Sequence, residues 1–250
     1  MKLFSVPSEQ GNLDKNKGCG KAPPAILKDR DFETVEIVEG NFEETDNAIY
    51  EKAAQVLKES RAFFVGGDHS ISYALVKAFA ETASEKRAVV VFDAHPDCVQ
   101  FFKPLSHEDW VQGIIEEGLV KAENVLLIGI RKSDKLETEY VKKSGIEVVG
   151  ALEVKSKREQ AMDRLLKLVA LNKEIYVSVD IDVFDPKIAP GTGYLEKNGL
   201  SWEEFAPLFE AIIKSGKIRA VDLVEVNPSK DLDGKTVGLA KKVLETALRE

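Results

Sequence analysis

Little in this chain points to a membrane, a disulfide framework or a nucleic acid. Two cysteines, Cys19 and Cys98, stand in 250 residues. That is too few for a stapled scaffold and suits a reducing cytosol. No apolar run approaches the ~20 residues that cross a bilayer, and Met1-Lys2-Leu3-Phe4 reads as the start of a strand, not a signal peptide. The expected compartment is therefore the cytoplasm, with no membrane partner. Basic residues are outnumbered: 35 Lys and Arg face 43 Asp and Glu, a net charge of −8. That balance argues against a general nucleic-acid binder and is compatible with a cationic ligand. Histidine is scarce as well, with three in the chain, and there is no internal repeat, low-complexity tract or long linker. What remains is ordinary globular composition, 44% hydrophobic and 31% charged, enough for one domain over 1–250 with a full core.

The pattern along the chain alternates short apolar runs with helical stripes. Strands are expected at Lys2 to Val6, Glu33 to Val38, Arg61 to Val65, Ala88 to Phe92, Asn124 to Ile130, Ile146 to Val149, Glu174 to Val179 and Ile218 to Val224. Helices are expected between them, including one opened by Ser201-Trp202-Glu203-Glu204, a capping box. Two further helices are read at Ala25 to Asp29, after Pro23-Pro24, and at Lys157 to Leu171. Such alternation implies a parallel sheet covered on both faces; composition does not decide between an open sheet and a closed barrel. The Gly-rich stretch Ser8 to Pro24 is long for a connection and reads as a covering loop with a function.

Chemistry gathers where strands end. Val91 to Asp97 finishes in Asp93, His95 and Asp97 at alternate positions, which share a face if the backbone stays extended. Strand seven runs into Asp180 and Asp182, again alternate, and strand three into Gly66-Gly67-Asp68-His69-Ser70. One acidic strand end is commonplace as a cap. Several together would repel one another unless a cation lay between them. Four Asp offset the charge of two divalent ions, and hard oxygen donors mixed with imidazole favour manganese over soft-ligand zinc sites. Cys98 adjoins the cluster but packs more naturally in the core.

Gly66 to Ser70, Asp93-Ala94-His95-Pro96-Asp97, and Ser178 to Pro186 continuing through Ala189-Pro190-Gly191-Thr192-Gly193 resemble the three signatures of the arginase/agmatinase (ureohydrolase) family, which includes formiminoglutamases. Val221 to Pro228 resembles its guanidinium-binding strand. The resemblance implies an α/β fold, a three-layer α/β/α sandwich with an eight-stranded, mainly parallel open sheet. It implies two Mn2+ per subunit and hydrolysis of a guanidino group to urea and an amine. His69 and Asp97 would bind one ion and His95 and Asp182 the other, with Asp93 and Asp180 bridging. Glu225 would hold the planar guanidinium in a bidentate fork, and His107 would shuttle a proton to the leaving amine. His107 also reads as part of an exposed helix start, with Ser106 as N-cap and Asp109 three residues on. Asp185 and Asp222 would orient ligands and loops. Family members form trimers or hexamers, so a homo-oligomer is expected.

The chain departs from arginase at the substrate end. Val99 stands where arginase carries an Asn that reads an amino-acid head group, and Thr192-Gly193-Tyr194-Leu195 replaces the usual Thr-Gly-Thr-Pro. Tyr194 is expected to cap the pocket; Phe101 and Phe102 read either as lining it or as core, and Lys103 either as attracting a carboxylate or as lying in solvent. These departures favour an agmatine-like or other guanidino compound, or a formimino compound, over arginine.

Overall fold

The computed structural model describes residues 1–100 and 102–249. Strands β1 (Lys2–Val6), β2 (Glu33–Thr34), β3 (Ala62–Gly66), β4 (Arg87–Phe92), β5 (Val125–Ile130), β6 (Glu147–Gly150), β7 (Glu174–Asp180) and β8 (Ile218–Val224) form one sheet in the order β2-β1-β3-β8-β7-β4-β5-β6. Every pairing is parallel. β2 and β6 are its two edges, so the sheet is open, not a barrel.

The central strands read as unbroken apolar runs because both faces are covered. Along β4, Val90 and Phe92 point into one core while Val89 and Val91 point into the other. The first core is roofed by α1 (Ala22–Leu27), α6 (Ala151–Ser156), α7 (Arg158–Leu171), α8 (Trp202–Lys214) and α9 (Lys235–Ala247). The second lies under α2 (Phe42–Leu57), α3 (Ile71–Thr82), α4 (Trp110–Glu116) and α5 (Lys135–Ser144). Each wholly buried Phe, Leu or Val contributes about 1.5–3 kcal/mol, so the two cores hold the sheet rigid beneath whatever its loops carry.

Three expectations need correction. β2 stops at Thr34 rather than Val38. Val35 still donates to Ser5, but the Val38 N–H and carbonyl are taken by the Thr45 hydroxyl at the start of α2. α1 begins at Ala22, before Pro23 and Pro24, because a first-turn proline lacks only an N–H that the helix would leave unpaired anyway. The stretch after β6 contains a separate helix, α6, which breaks at Lys157 (φ −139°, ψ 46°) before α7 starts. The Ser201 capping box is present as read, and Asp134 and Glu137 form a second one that opens α5.

Candidate metal centre

Four neighbouring strands, β3, β8, β7 and β4, deliver the chemistry at their C-terminal ends, where open α/β sheets place ligands. β3 ends on Gly66, and Gly67 follows it. A Cβ on Gly67 would lie 1.9 Å from the Ser8 carbonyl oxygen, so only glycine lets the covering loop close over the strand. Asp68 then ties that loop down by accepting from the Gly11 N–H at 2.8 Å, and His69 turns inward, fully buried.

The Asp-x-His-x-Asp segment is not extended. β4 ends at Phe92, Asp93 Oδ1 accepts from the His95 N–H at 2.7 Å, and Asp97 adopts a left-handed φ of 49°. β7 does the same: Asp180 Oδ1 accepts from the Asp182 N–H at 2.7 Å as the chain tightens into a 3₁₀ turn over Ile181–Val183. Alternate carboxylates converge because each first Asp caps its own turn, not because a strand continues.

The six expected ligand residues meet. His69 Nδ1 lies 3.1 Å from Asp93 Oδ2, 3.0 Å from Asp97 Oδ2 and 3.3 Å from Asp180 Oδ2. His95 Nδ1 lies 3.1 Å from Asp182 Oδ2 and 3.5 Å from Asp93 Oδ1. Two groups of donors are each compact enough for one ion, His69-Asp93-Asp97 and Asp93-His95-Asp182, with Asp93 common to both. Asp180 joins through its approach to His69.

The donors fit a cation by a second criterion. His69 Nε2 lies 2.8 Å from Ser178 Oγ, whose single proton is donated to Asp222 Oδ1 at 2.6 Å. The serine must then accept from Nε2–H, which leaves Nδ1 facing the carboxylates, as a lone pair in the neutral ring or as an N–H in the protonated one that those carboxylates favour. His69 Nδ1 and Asp93 Oδ2 are both buried without a hydrogen-bond partner. A lone pair facing oxygens is repulsive unless a positive charge, proton or metal, sits between. The electrostatics agree. Burial and then the Asp93 charge push Asp97 up to about 7. Burial opposes charge on His95, yet Asp182 and Asp93 hold its proton to about 12. Asp180 is driven up by burial and by its neighbours Asp182 and Asp93. Two divalent ions would relieve all three.

A cavity of about 200 Å³ opens on this cluster; His95, Asp97, Asp180 and Asp182 reach it together with His107, Tyr194 and Glu225. Glu225 is buried, with a left-handed φ of 65° fixed by its N–H bond to Gly67 at 2.7 Å. Its Oε1 accepts from the His69 N–H at 2.8 Å and lies 3.1 Å from His107 Nδ1; its Oε2 accepts from Asn16 Nδ2 at 2.6 Å. Burial raises its pKa, but His107 and Asn16 more than offset that, so Glu225 stays ionised.

His107 is buried in the loop before α4, not exposed at a helix start. Asp109, not Ser106, is the residue that precedes the helix. It accepts from Ser106 and Phe102 across the loop, with no capping bond of its own. His107 Nε2 is buried without a hydrogen bond, 3.9 Å from Glu108 Oε1, and the residue lines the cavity. The Tyr194 ring stands 5.1 Å from His95 and 5.8 Å from His107, and its hydroxyl donates to Glu108 Oε1 at 2.6 Å. Asp222 is buried and accepts from Ser72, Tyr176 and Ser178; Asp185 pins the turn after β7 through the Lys187 N–H.

Phe102 and Lys103 do not line this cavity. Lys103 pairs with Glu117 at 2.6 Å beside a different cleft, and Phe102 is exposed at 66%. Phe101 lies outside the described residues. Val99 does line the cavity, and so does Lys132. Sequence reasoning missed Asn16, Ser178 and Trp110, whose Nε1–H donates to Asp97 Oδ2 at 2.8 Å. Asn16 lies in the Gly-rich stretch already singled out as a covering loop, the one signal that pointed to it.

A model of the arginase family matches residues 3–249. The chain belongs to the arginase family. The mitochondrial arginase 1 of Oryza sativa subsp. indica is 34% identical over 203 residues, which cover 79% of this chain and 58% of the rice protein; this chain thus spans little more than half of that relative. The agmatinase of Bacillus subtilis (strain 168) is 30% identical over 213 residues, covering 84% of this chain and 70% of the agmatinase. Among solved structures, formimidoylglutamase from Bacillus subtilis superposes with a TM-score of 0.92 at 22% identity over 99% of this chain and 85% of that one, a likeness of fold. Arginase from Bacillus subtilis superposes with a TM-score of 0.87 at 25% identity over 100% of this chain and 98% of that one. The arginase-like α/β fold with its eight-stranded sheet is therefore that of the family. Among the described residues no helix is long and apolar enough to cross a membrane.

Proposed function

We propose that this protein hydrolyses the linear C–N bond of a guanidino compound to urea and an amine, as a manganese-dependent ureohydrolase acting on an agmatine-like substrate rather than arginine. One observation carries the reading: two donor groups sharing Asp93 open on the same small cavity as an ionised carboxylate, Glu225, and an imidazole with a free nitrogen, His107. His69, Asp97, Asp93 and Asp180 would hold one Mn2+, and His95, Asp182, Asp93 and Asp180 the other. Such a pair of ions would acidify a water, so that hydroxide is available at neutral pH to attack the guanidinium carbon.

The chain's own groups do the rest. Each carboxylate oxygen offers two lone pairs. Glu225 Oε1 already serves His69 and His107 while Oε2 serves Asn16 alone, so Oε2 is the oxygen with room for a guanidinium N–H. His107 Nδ1–H is held by Glu225, which leaves Nε2 as the nitrogen that delivers a proton to the departing amine. Tyr194, wedged beside both imidazoles, narrows the entrance and selects slender substrates. Val99 offers no hydrogen bond to an amino-acid head group.

A second reading has one observation in its favour. Lys132 is the one Lys or Arg among the described residues lining the cavity, and it would suit a carboxylate on the tail of a guanidino or formimino acid. A substrate panel on manganese-loaded protein decides: agmatine, arginine, guanidino acids and formiminoglutamate, assayed for urea and for formamide. Urea from agmatine is the expected result. Formamide without urea would move the assignment to the second reading, and two bound ions with no product from any substrate would leave a binding protein. The cytoplasm and a trimer or hexamer belong to the same proposal; light scattering on the purified protein checks the assembly.

A further inference from the structure

Arg131, at the end of β5, is half-buried and takes no part in lining the cavity. Its guanidinium is spent entirely on main-chain carbonyls. Nη2 donates to Asp182 O at 2.6 Å and Phe184 O at 3.3 Å, and Nη1 to Val183 O at 3.3 Å and Gly129 O at 3.2 Å. On its other edge, Nη2 reaches Glu196 O at 2.9 Å and Nε reaches Lys197 O at 3.2 Å. Its backbone N–H bonds Ala94 O at 2.9 Å. Gly129 makes this approach possible. At its φ of +102°, a Cβ would lie 2.8 Å from Asp93 O and 2.5 Å from Val183 Cγ2.

The side chain thus joins two segments that the chain keeps apart, the turn that carries Asp182 and the loop that carries Tyr194 and Glu196, while the main-chain N–H of the same residue holds the Asp93–His95 turn. We infer that Arg131 is a positioning residue that locks the Asp182 turn to the Tyr194 loop, so that affinity at the His95 side of the metal cradle and the shape of the pocket entrance are set together. This rests on the cradle proposed above. Lysine cannot substitute: its single ammonium has no planar fork to span two sets of carbonyls. Nor is the arrangement a generic surface contact, since five N–H donors directed at six carbonyls leave no donor for solvent or for a carboxylate.

The test compares Arg131→Met and Arg131→Lys with Lys217→Met, a control that removes another cation from main-chain carbonyls, Val169 O and Asn172 O, far from the cradle. Metal-free protein is titrated with Mn2+ alone by calorimetry, and amide hydrogen exchange is followed over residues 181–185 and 194–200. Both Arg131 variants are expected to weaken one of the two manganese sites tenfold or more and to speed exchange in both segments, while Lys217→Met lowers Tm and changes neither. Wild-type manganese affinity, or wild-type exchange at 194–200, in Arg131→Lys overturns the inference; if Arg131→Met does not fold, the lysine variant carries the decision alone. The readouts separate this inference from the function itself. A protein that binds no manganese or releases no urea refutes the proposed activity, and exchange at 181–185 and 194–200 still reports whether Arg131 joins the two segments.

Discussion

The two sides of the cradle are built differently. The His69 side is sealed. His69 is 1% exposed, Trp110 packs 4.8 Å from its ring and bonds Asp97, and behind it Ser178 and Asp222 form a chain into the core that Ser72 and Tyr176 complete. The His95 side is open. That imidazole is 19% exposed, backed by Glu196 at 3.8 Å and by Tyr194, both on a loop. Folding alone fixes the first side; the second depends on where a loop is held. Of the two carboxylates proposed to bridge, Asp93 and Asp180, Asp93 is the one that belongs to both compact donor groups among the described residues. Asp93→Ala should therefore remove both ions and abolish turnover, whereas Asp97→Ala and Asp182→Ala should each release one. Metal content after desalting, measured by atomic spectroscopy, checks this. Two retained equivalents in Asp93→Ala would break the comparison at its centre.

A smaller effect should separate what stands behind the two histidines. Ser178→Ala removes the hydroxyl that sets the His69 tautomer and leaves Asp222 one donor short. It should weaken manganese about 10–100-fold, and the lost bond in the core should cost about 1–3 kcal/mol in thermal unfolding. Glu196→Gln removes a partly exposed partner at 3.8 Å. A pair of that kind contributes about 1 kcal/mol or less, so affinity should fall no more than about fivefold. Equal losses would mean that the outer loop governs the cradle as firmly as the core does.

The same division decides what was legible in the sequence. Buried strands announce themselves through apolar runs, so β1 and β8 match their expected limits, and the Asp-x-His-x-Asp and Asp-x-Asp spacings singled out side chains that the fold brings together. Periodicity was the wrong reason for their convergence, because each Asp bends the chain by capping the turn that follows. Edge and loop features were hidden for another reason. β2 is cut short by a Thr45 hydroxyl, and Asn16 meets Glu225 across 209 positions. Lys103 leaves the pocket because Glu117 attracts it elsewhere. No local pattern encodes such pairings.

The finest discrimination concerns the one imidazole outside the cradle. Burial favours neutral His107, yet the hydrogen bond and charge of Glu225 outweigh it and push the pKa up to about 9. The ring is therefore protonated at neutral pH, Nδ1–H tied to Glu225 and Nε2–H directed into the cavity, as a proton donor requires. Because the folded value lies above that of an unfolded imidazole, about 6.5, the pair's contribution to stability is complete below that pH. It is lost as pH rises through about 9. Glu225→Gln keeps the shape and removes the charge. Burial then acts unopposed, and the His107 pKa should fall by about 1–3 units. NMR titration of the His107 ring in metal-free protein, wild type against Glu225→Gln, measures that shift directly. An unchanged value would show that Glu225 does not hold this proton, and the proposed route for protonating the leaving amine would lose its anchor.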